Sequence, residues 1–247
     1  MADVQEATPL PMGNAEVLVA AVEARDAQAA RALCASVLPD AAVTQHIDFP
    51  ECINAHCPTI SDVTRSLQEA VSAMRTSSKG SKESKEAESR GNGQPSVLLI
   101  TASAGVASSL YGALAKVGLR AGKLFAKHMK IDEQRSFLVT HTFDVGIGTP
   151  NRINALAREG ALDLGRLRLL LLDCTPNEKS FSMFSMAELV GDLAALLTSR
   201  QLRAKWHVKA ASKCVTVCPI VLPTKAALEA AKPIGQRMLT ANRGRGR

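Results

Sequence analysis

The stretch Gly148-Thr149-Pro150-Asn151-Arg152 has the residue types of an anion-binding helix start. Threonine is a helix-capping residue, and proline fits the first helical position because its missing N–H is not needed there. A helix beginning at Pro150 turns its free N–H groups and the positive end of its dipole toward a phosphate, and Arg152 adds a two-pronged guanidinium contact. A capped helix with a surface arginine is the plainer reading of the same residues. Further on, the apolar run Leu169–Leu172 ends in Asp173. Parallel strands would deliver that acid to the same sheet edge. Phosphoryl transfer needs more than one acid, and Cys174, Thr175 and Pro176 supply no second carboxylate to orient an attacking water. It also needs a strand, a glycine-rich loop ending in Gly-Lys-Ser/Thr, and a helix. Lys79, Gly80 and Ser81 stand in the wrong order, within a linker that occupies the place of such a loop. Gly122-Lys123 runs into Leu124 with no glycine loop ahead of it. The expectation is a phosphate contact without turnover: no catalytic residue and no cofactor.

Other reactive side chains are sparse. Cys52, His56 and Cys57, and Cys214 with Cys218, lack the paired two-residue spacing of a zinc site, so no metal is expected. His128 and His141 have no acidic or nucleophilic companion in a readable motif and are expected to be structural. Lys123, Lys127 and Lys130, in the block KLFAKHMK, either extend a phosphate track or are solvated lysines beside a core strand containing Leu124 and Phe125. Charge is unevenly distributed. Residues 1–75 hold ten acids against four bases, whereas residues 200–247 hold eleven bases against Glu229 alone. The tail ending in Arg243, Arg245 and Arg247 therefore suits a polyanion. With six Phe, one Tyr and one Trp, base stacking is a poor fit, and any nucleic-acid contact runs through phosphates.

The elements that must position these groups follow a βα rhythm. Apolar runs at 96–101, 123–126, 143–148, 166–173 and 213–223 read as strands. Helices are expected between them, including 131–138, Thr149 to Glu159 and 187–199, which implies a parallel sheet covered on both faces. Ahead of them, Ala15–Leu38 reads as one amphipathic helix, and a second begins near Ser61. Thr76–Pro95 has no large apolar residue and reads as a flexible spacer. The chain shows no leader pattern and no long uncharged apolar run, so no membrane partner is expected. The scattered cysteines suit reduced thiols of the cytosol or nucleus.

The spacing from Thr149-Pro150-x-Arg152 to Asp173 resembles the first RecA-like domain of DEAD-box RNA helicases. Thr149, Pro150 and Arg152 match its RNA-contacting motif, with Asn151 where glycine is usual, and Asp173 matches only the first acid of the ATP motif. Lys123 to His128, then Gly146 to Arg152, then a leucine-rich strand ending in Asp173 more closely resemble the Cms-one family of small-subunit ribosome-biogenesis proteins. That resemblance implies an α/β fold with a single degenerate RecA-like parallel sheet. The resemblance covers about residues 96–199; periodicity, composition and charge divide the chain into a helical extension at 1–75, a linker at 76–95, the helicase-like domain at 96–223 and a basic tail at 224–247. The resemblance further implies a non-catalytic, RNA-associated assembly factor for 18S rRNA in the early, U3 snoRNP-associated pre-ribosome of the nucleolus. Its partners would be pre-rRNA or snoRNA and small-subunit assembly factors, with no small-molecule substrate. The rival readings are a protein–protein adaptor without RNA contact and an atypical nucleotide-dependent helicase. The expected RNA contacts are Thr149, Pro150 and Arg152 from the resemblance, with Lys123, Lys127 and Lys130 of the basic block and Arg243, Arg245 and Arg247 of the tail from their charge.

Overall fold

The computed structural model describes residues 8–38, 41–77, 91–127, 129–207 and 214–230. Five parallel strands form one sheet in the order β2-β3-β1-β4-β5: β1 (Val97–Ile100), β2 (Ala121–Leu124), β3 (Val145–Gly148), β4 (Leu169–Asp173) and β5 (Thr216–Ile220). The continuous apolar runs VLLI and LLLLD lie at the centre, and every residue of β1 and β4 is buried, as a sheet covered on both faces requires. The fold class is therefore the α/β parallel sheet that the sequence predicts.

The connecting helices are α5 (Ala104–Lys116), α6 (Ile131–Leu138), α7 (Pro150–Arg158), α8 (Ala187–Leu197), α9 (Arg200–Trp206) and, after β5, α10 (Lys225–Ala230). The crossover from β1 to β2 runs opposite to the later ones, so right-handed connections put α5 on one face and α6 to α9 on the other. Contacts agree: α5 packs with α10 and α4 (Ile60–Ser77), while α7 packs with α8.

Residues before the sheet form α1 (Met12–Glu23), α2 (Ala27–Ala35) and α3 (Ala41–Thr44). The single helix expected over Ala15–Leu38 is broken. Arg25 takes a positive φ of 54°, and the Asp26 carboxylate accepts the Ala29 N–H at 2.9 Å, capping a new helix. The helices of this segment join the same hydrophobic cluster as the sheet, with Leu18, Val22, Ile47, Val63, Leu67 and Val71 buried alongside Val97–Ile100.

The open edge of β5 is taken by residues 46–57, bridged in parallel at Ile47–Val217 and His56–Val221. Val217 N–H donates to His46 O (2.8 Å) and Asp48 N–H to Val217 O (2.9 Å). Val221 N–H donates to Ala55 O (2.8 Å) and Cys57 N–H to Val221 O (2.9 Å). The bulge between the two bridges is clasped by Arg25, whose guanidinium donates to Ile53 O (2.7 Å), Phe49 O (2.7 Å) and Pro50 O (2.9 Å). At the opposite pole of the strands, buried Asp144 accepts from Arg75 of α4 (2.8 Å) and from Arg120 (3.2 Å), tying that helix to the start of β3. Of the expected spacer, residues 91–95 are laid against the core: Gly93 N–H donates to His141 O (3.1 Å) and Asp163 N–H to Gly93 O (3.0 Å). Residues 78–90 and the tail from 231 lie outside the described residues.

The two glycines of β3 are packing residues. A Cβ at Gly146 would meet the Leu124 side chain at 2.7 Å, and one at Gly148 would collide with the Leu124 carbonyl oxygen. Gly112, in the middle of α5, has nothing within 4 Å of a built Cβ. Gly148→Ala is therefore expected to cost at least about 3 kcal/mol in urea unfolding, because the obstruction is backbone on the paired strand. Gly112→Ala should instead stabilise by about 0.5–1 kcal/mol. Equal effects of the two changes would refute this account of the β2–β3 approach.

Candidate nucleic-acid interface

All five strands point the same way, so their C-terminal ends share one edge, and Lys123, Thr149 and Asp173 reach it from β2, β3 and β4. Thr149 is the N-cap of α7 by backbone geometry (φ −101°, ψ 149°), but its side chain makes no capping hydrogen bond. The expected threonine side-chain cap is absent, and Thr149 ends the loop by its backbone alone. Pro150 occupies the first helical position and is buried, where its ring shapes the helix start.

Arg152 is half-buried, and its Nη1 lies 3.4 Å from Oε1 of Gln134. Gln134, on α6, is fully buried, and its amide nitrogen donates to the carbonyls of Lys123 and Phe125 at the end of β2. One amide group thus braces the end of β2 and steers the guanidinium of α7. The sequence reading overlooked Gln134. Its signal was a polar residue on the buried face of an eight-residue helix, where an amide needs partners at both ends.

Of the basic block, Lys123 sits over the Phe125 ring with its ammonium 5.2 Å from the centroid, and Lys127 and Lys130 are exposed on the β2–α6 loop. Leu124 and Phe125 are core residues. Acids interleave with these lysines: the Glu133 carboxylate accepts the Lys130 N–H at 3.1 Å, and Asp132 pairs with Arg135 at 3.7 Å. Gln134 therefore links the Lys123 carbonyl of β2 to the Arg152 side chain of α7, while Thr149 pairs with the neighbouring Leu124 carbonyl and Lys127 and Lys130 lie exposed on the β2–α6 loop. His128, Arg243, Arg245 and Arg247 lie outside the described residues.

The positions of nucleotide chemistry are filled from within. Asp173 is buried, and its Oδ1 accepts the Thr175 N–H at 3.0 Å. Thr175 closes onto the end of the sheet, donating its hydroxyl to Leu222 O (3.3 Å) and accepting Leu222 N–H (2.7 Å). Burial pushes the Asp173 carboxyl up to about 6, against the opposing effect of hydrogen bonds from Thr175 and Ala102. Cys174 is fully buried and directs its thiol to Ile220 O. The sequence placed the linker where a P-loop belongs. In the structure a strand-like stretch feeding a helix ahead of β1 is found earlier, at 46–57 running into α4. Its turn, Pro58-Thr59, contains no glycine or lysine. Thr59 Oγ1 accepts the Asp62 N–H (3.2 Å), while Asp62 Oδ2 accepts the Thr59 N–H (3.1 Å) and hydroxyl (2.6 Å). A carboxylate, held below its usual range chiefly by the Thr59 hydroxyl, closes the first turn of α4.

The chain matches the family model described as CMS1, U3-containing 90S pre-ribosomal complex subunit, over residues 63–218, from α4 to β5. Similar proteins include Protein CMS1 of Chaetomium thermophilum, 33% identical over 119 residues that make up 47% of this chain and 47% of the relative. Protein CMSS1 of Xenopus laevis is 36% identical over 90 residues, 36% of this chain and 32% of the relative. The matched stretch thus spans less than half the length of these relatives. Among solved structures, S. cerevisiae Dbp5 bound to RNA and ADP BeF3 aligns at 11% identity and a TM-score of 0.41, over 72% of this chain and 38% of that one.

Asp173 gives the fold a pH dependence. Its folded-state pKa lies above the ordinary carboxylate value, so its contribution to stability is full below about pH 4 and is lost as pH rises through about 6. Urea unfolding should show a loss of about 1 kcal/mol between about pH 5 and pH 7.5 from this group, toward a limit of about 3 kcal/mol. Asp173→Asn should flatten that segment of the curve. An unchanged profile in the variant would mean that the carboxyl is not held in the closed turn.

Proposed function

The chain belongs to the CMS1 family, and from that premise we propose that it is a non-catalytic, RNA-associated assembly factor for the small ribosomal subunit and its 18S rRNA. It would act within or beside the early pre-ribosomal particle of the nucleolus, with pre-rRNA or snoRNA and small-subunit assembly factors as partners. The observation that carries the RNA contact is the Gln134 brace, which holds a half-buried guanidinium at a helix start whose capping threonine leaves the first amides open. A phosphate fits there, between positive dipole and fork. Lys127 and Lys130 extend the track on the same edge, and Arg243, Arg245 and Arg247 add a sequence-tolerant polyanion contact. The absence of turnover is supported by how the remaining motif positions are used. Asp173 is folded into the Thr175 turn, and Asp62 occupies the helix start that follows the edge stretch.

The test is RNA affinity over a salt series, with U3 snoRNA and a pre-18S transcript as probes. Arg152→Ala should weaken binding by about 1–3 kcal/mol if its phosphate bond is direct. Deleting residues 237–247 removes four arginines and should flatten the salt slope by up to about four. Hydrolysis of ATP in either RNA's presence should equal that of Asp173→Ala. Loss of binding with the truncation alone would make the Thr149–Arg152 start a structural feature only. Indifference to both changes would favour attachment through protein, as an adaptor.

A further inference from the structure

We propose that Cys214 is a modification site, a thiol that His46 activates for exchange with low-molecular-weight disulfides. The Cys214 Sγ lies 2.9 Å from His46 Nδ1, and His46 Nε2 lies 2.9 Å from the Trp206 main-chain oxygen. A carbonyl can only accept, so Nε2 carries the hydrogen and Nδ1 presents its lone pair to the thiol. That is the arrangement of an activated nucleophile: thiol, base, and a third group that fixes the base's tautomer. The imidazole is further held at 5.5 Å from the Trp206 ring. The pair joins two distant parts of the chain, His46 from the edge stretch and Cys214 just ahead of β5, and both residues are half-buried and within reach of small reagents.

The other five cysteines lack these features. Cys34, Cys57, Cys174 and Cys218 are buried, and burial pushes the thiols of Cys34, Cys57 and Cys218 up to about 12 and that of Cys174 well above the ordinary value. Cys52 is half-buried, makes no hydrogen bond to a histidine among the described residues, and burial pushes its thiol up. It serves as the internal comparison.

The step balances without a further reactant. The Cys214 S–H proton passes to His46 Nδ1 while Nε2 stays bonded to the Trp206 carbonyl. The Cys214 thiolate attacks one sulfur of R–S–S–R, the S–S bond breaks, and a Cys214–S–S–R bond forms. The departing thiolate takes the proton from Nδ1 as R–SH. Cys214 is oxidised and the small disulfide is reduced. The modified sulfur no longer donates to His46, whose carbonyl pairs with Val217, so the change falls on the seam between the edge stretch and β5.

The experiment is the reaction of the full chain with 5,5′-dithiobis(2-nitrobenzoate), followed by absorbance and by peptide mapping. One fast equivalent should map to Cys214, disappear in Cys214→Ser and persist in Cys52→Ser. His46→Gln, with unchanged far-UV circular dichroism, should slow it at least about tenfold. A fast equivalent at Cys52, no fast equivalent at all, or an unchanged rate in His46→Gln would each overturn the proposal. If His46→Gln does not fold, the wild-type mapping and the two serine variants decide it alone.

Discussion

A parallel sheet presents a row of unpaired amides and carbonyls along each outer strand, and in this protein the row on β5 is satisfied by residues 46–57. Much else depends on that pairing. It draws the segment before the sheet into the common core, so that Ile47, Ile53 and Val63 are buried with the central strands. It requires the chain to bulge between two bridges, and the carbonyls exposed in the bulge are met by Arg25, whose positive φ is the break between α1 and α2. It sets the start of α4 beside the sheet with its first turn closed by Thr59 and Asp62. The Asp62 carboxylate also places a negative charge at the positive end of the α4 dipole, which stabilises that helix start.

The opposite edge is built on a second constraint, the close approach of β2 to β3. Gly148 allows the Leu124 carbonyl to lie against its α-carbon, and the Thr149 N–H then donates to that carbonyl at 3.3 Å. The end of β2 leaves the Lys123 and Phe125 carbonyls buried, and Gln134 reaches them from α6. Replacing either partner would strand a buried polar group, a cost of about 1–3 kcal/mol that ordinary surface contacts do not carry. The glutamine's remaining oxygen is turned toward Arg152. A requirement of the fold, pairing the end of an edge strand, thereby orients the guanidinium at the site.

The sheet was legible in the sequence because its information is local. VLLI and LLLLD are uninterrupted apolar runs of strand length, and the Thr-Pro pair announces α7 by the chemistry of its first turn. The edge stretch was not legible. HIDFPECINAHC pairs through two separated bridges whose partners lie more than 160 residues later, and neither bridge creates an alternating pattern. Arg25 was hidden because its partners are main-chain carbonyls, which leave no trace in residue types. At the candidate site, Thr149 and Arg152 were visible by type and spacing. Gln134 was invisible because an amide in QRSF looks like a solvated residue until the carbonyls it satisfies are in place.

The charge asymmetry acquires a physical meaning once side chains are assigned to tasks. Three of the four bases in residues 1–75 are committed internally: Arg25 to the bulge carbonyls, Arg31 to Ile47 O at 2.9 Å, and Arg75 to Asp144. Among the described residues most acids of that segment are exposed, including Glu16, Glu23, Asp26, Asp48, Glu51 and Glu69. The strand order puts residues 46–57 of this segment, with Asp48 and Glu51 exposed, at the β5 edge and the Lys123, Lys127 and Lys130 block at the β2 edge. Five strand spacings separate the two, about 24 Å at about 4.8 Å each. The screening length at physiological salt is about 8 Å, so the acidic edge does not neutralise the basic one. For the RNA contact proposed above, the β5 margin would oppose a polyanion and the β2 margin would receive it. The β2 margin is also the one beside which α7 begins and Gln134 meets Arg152.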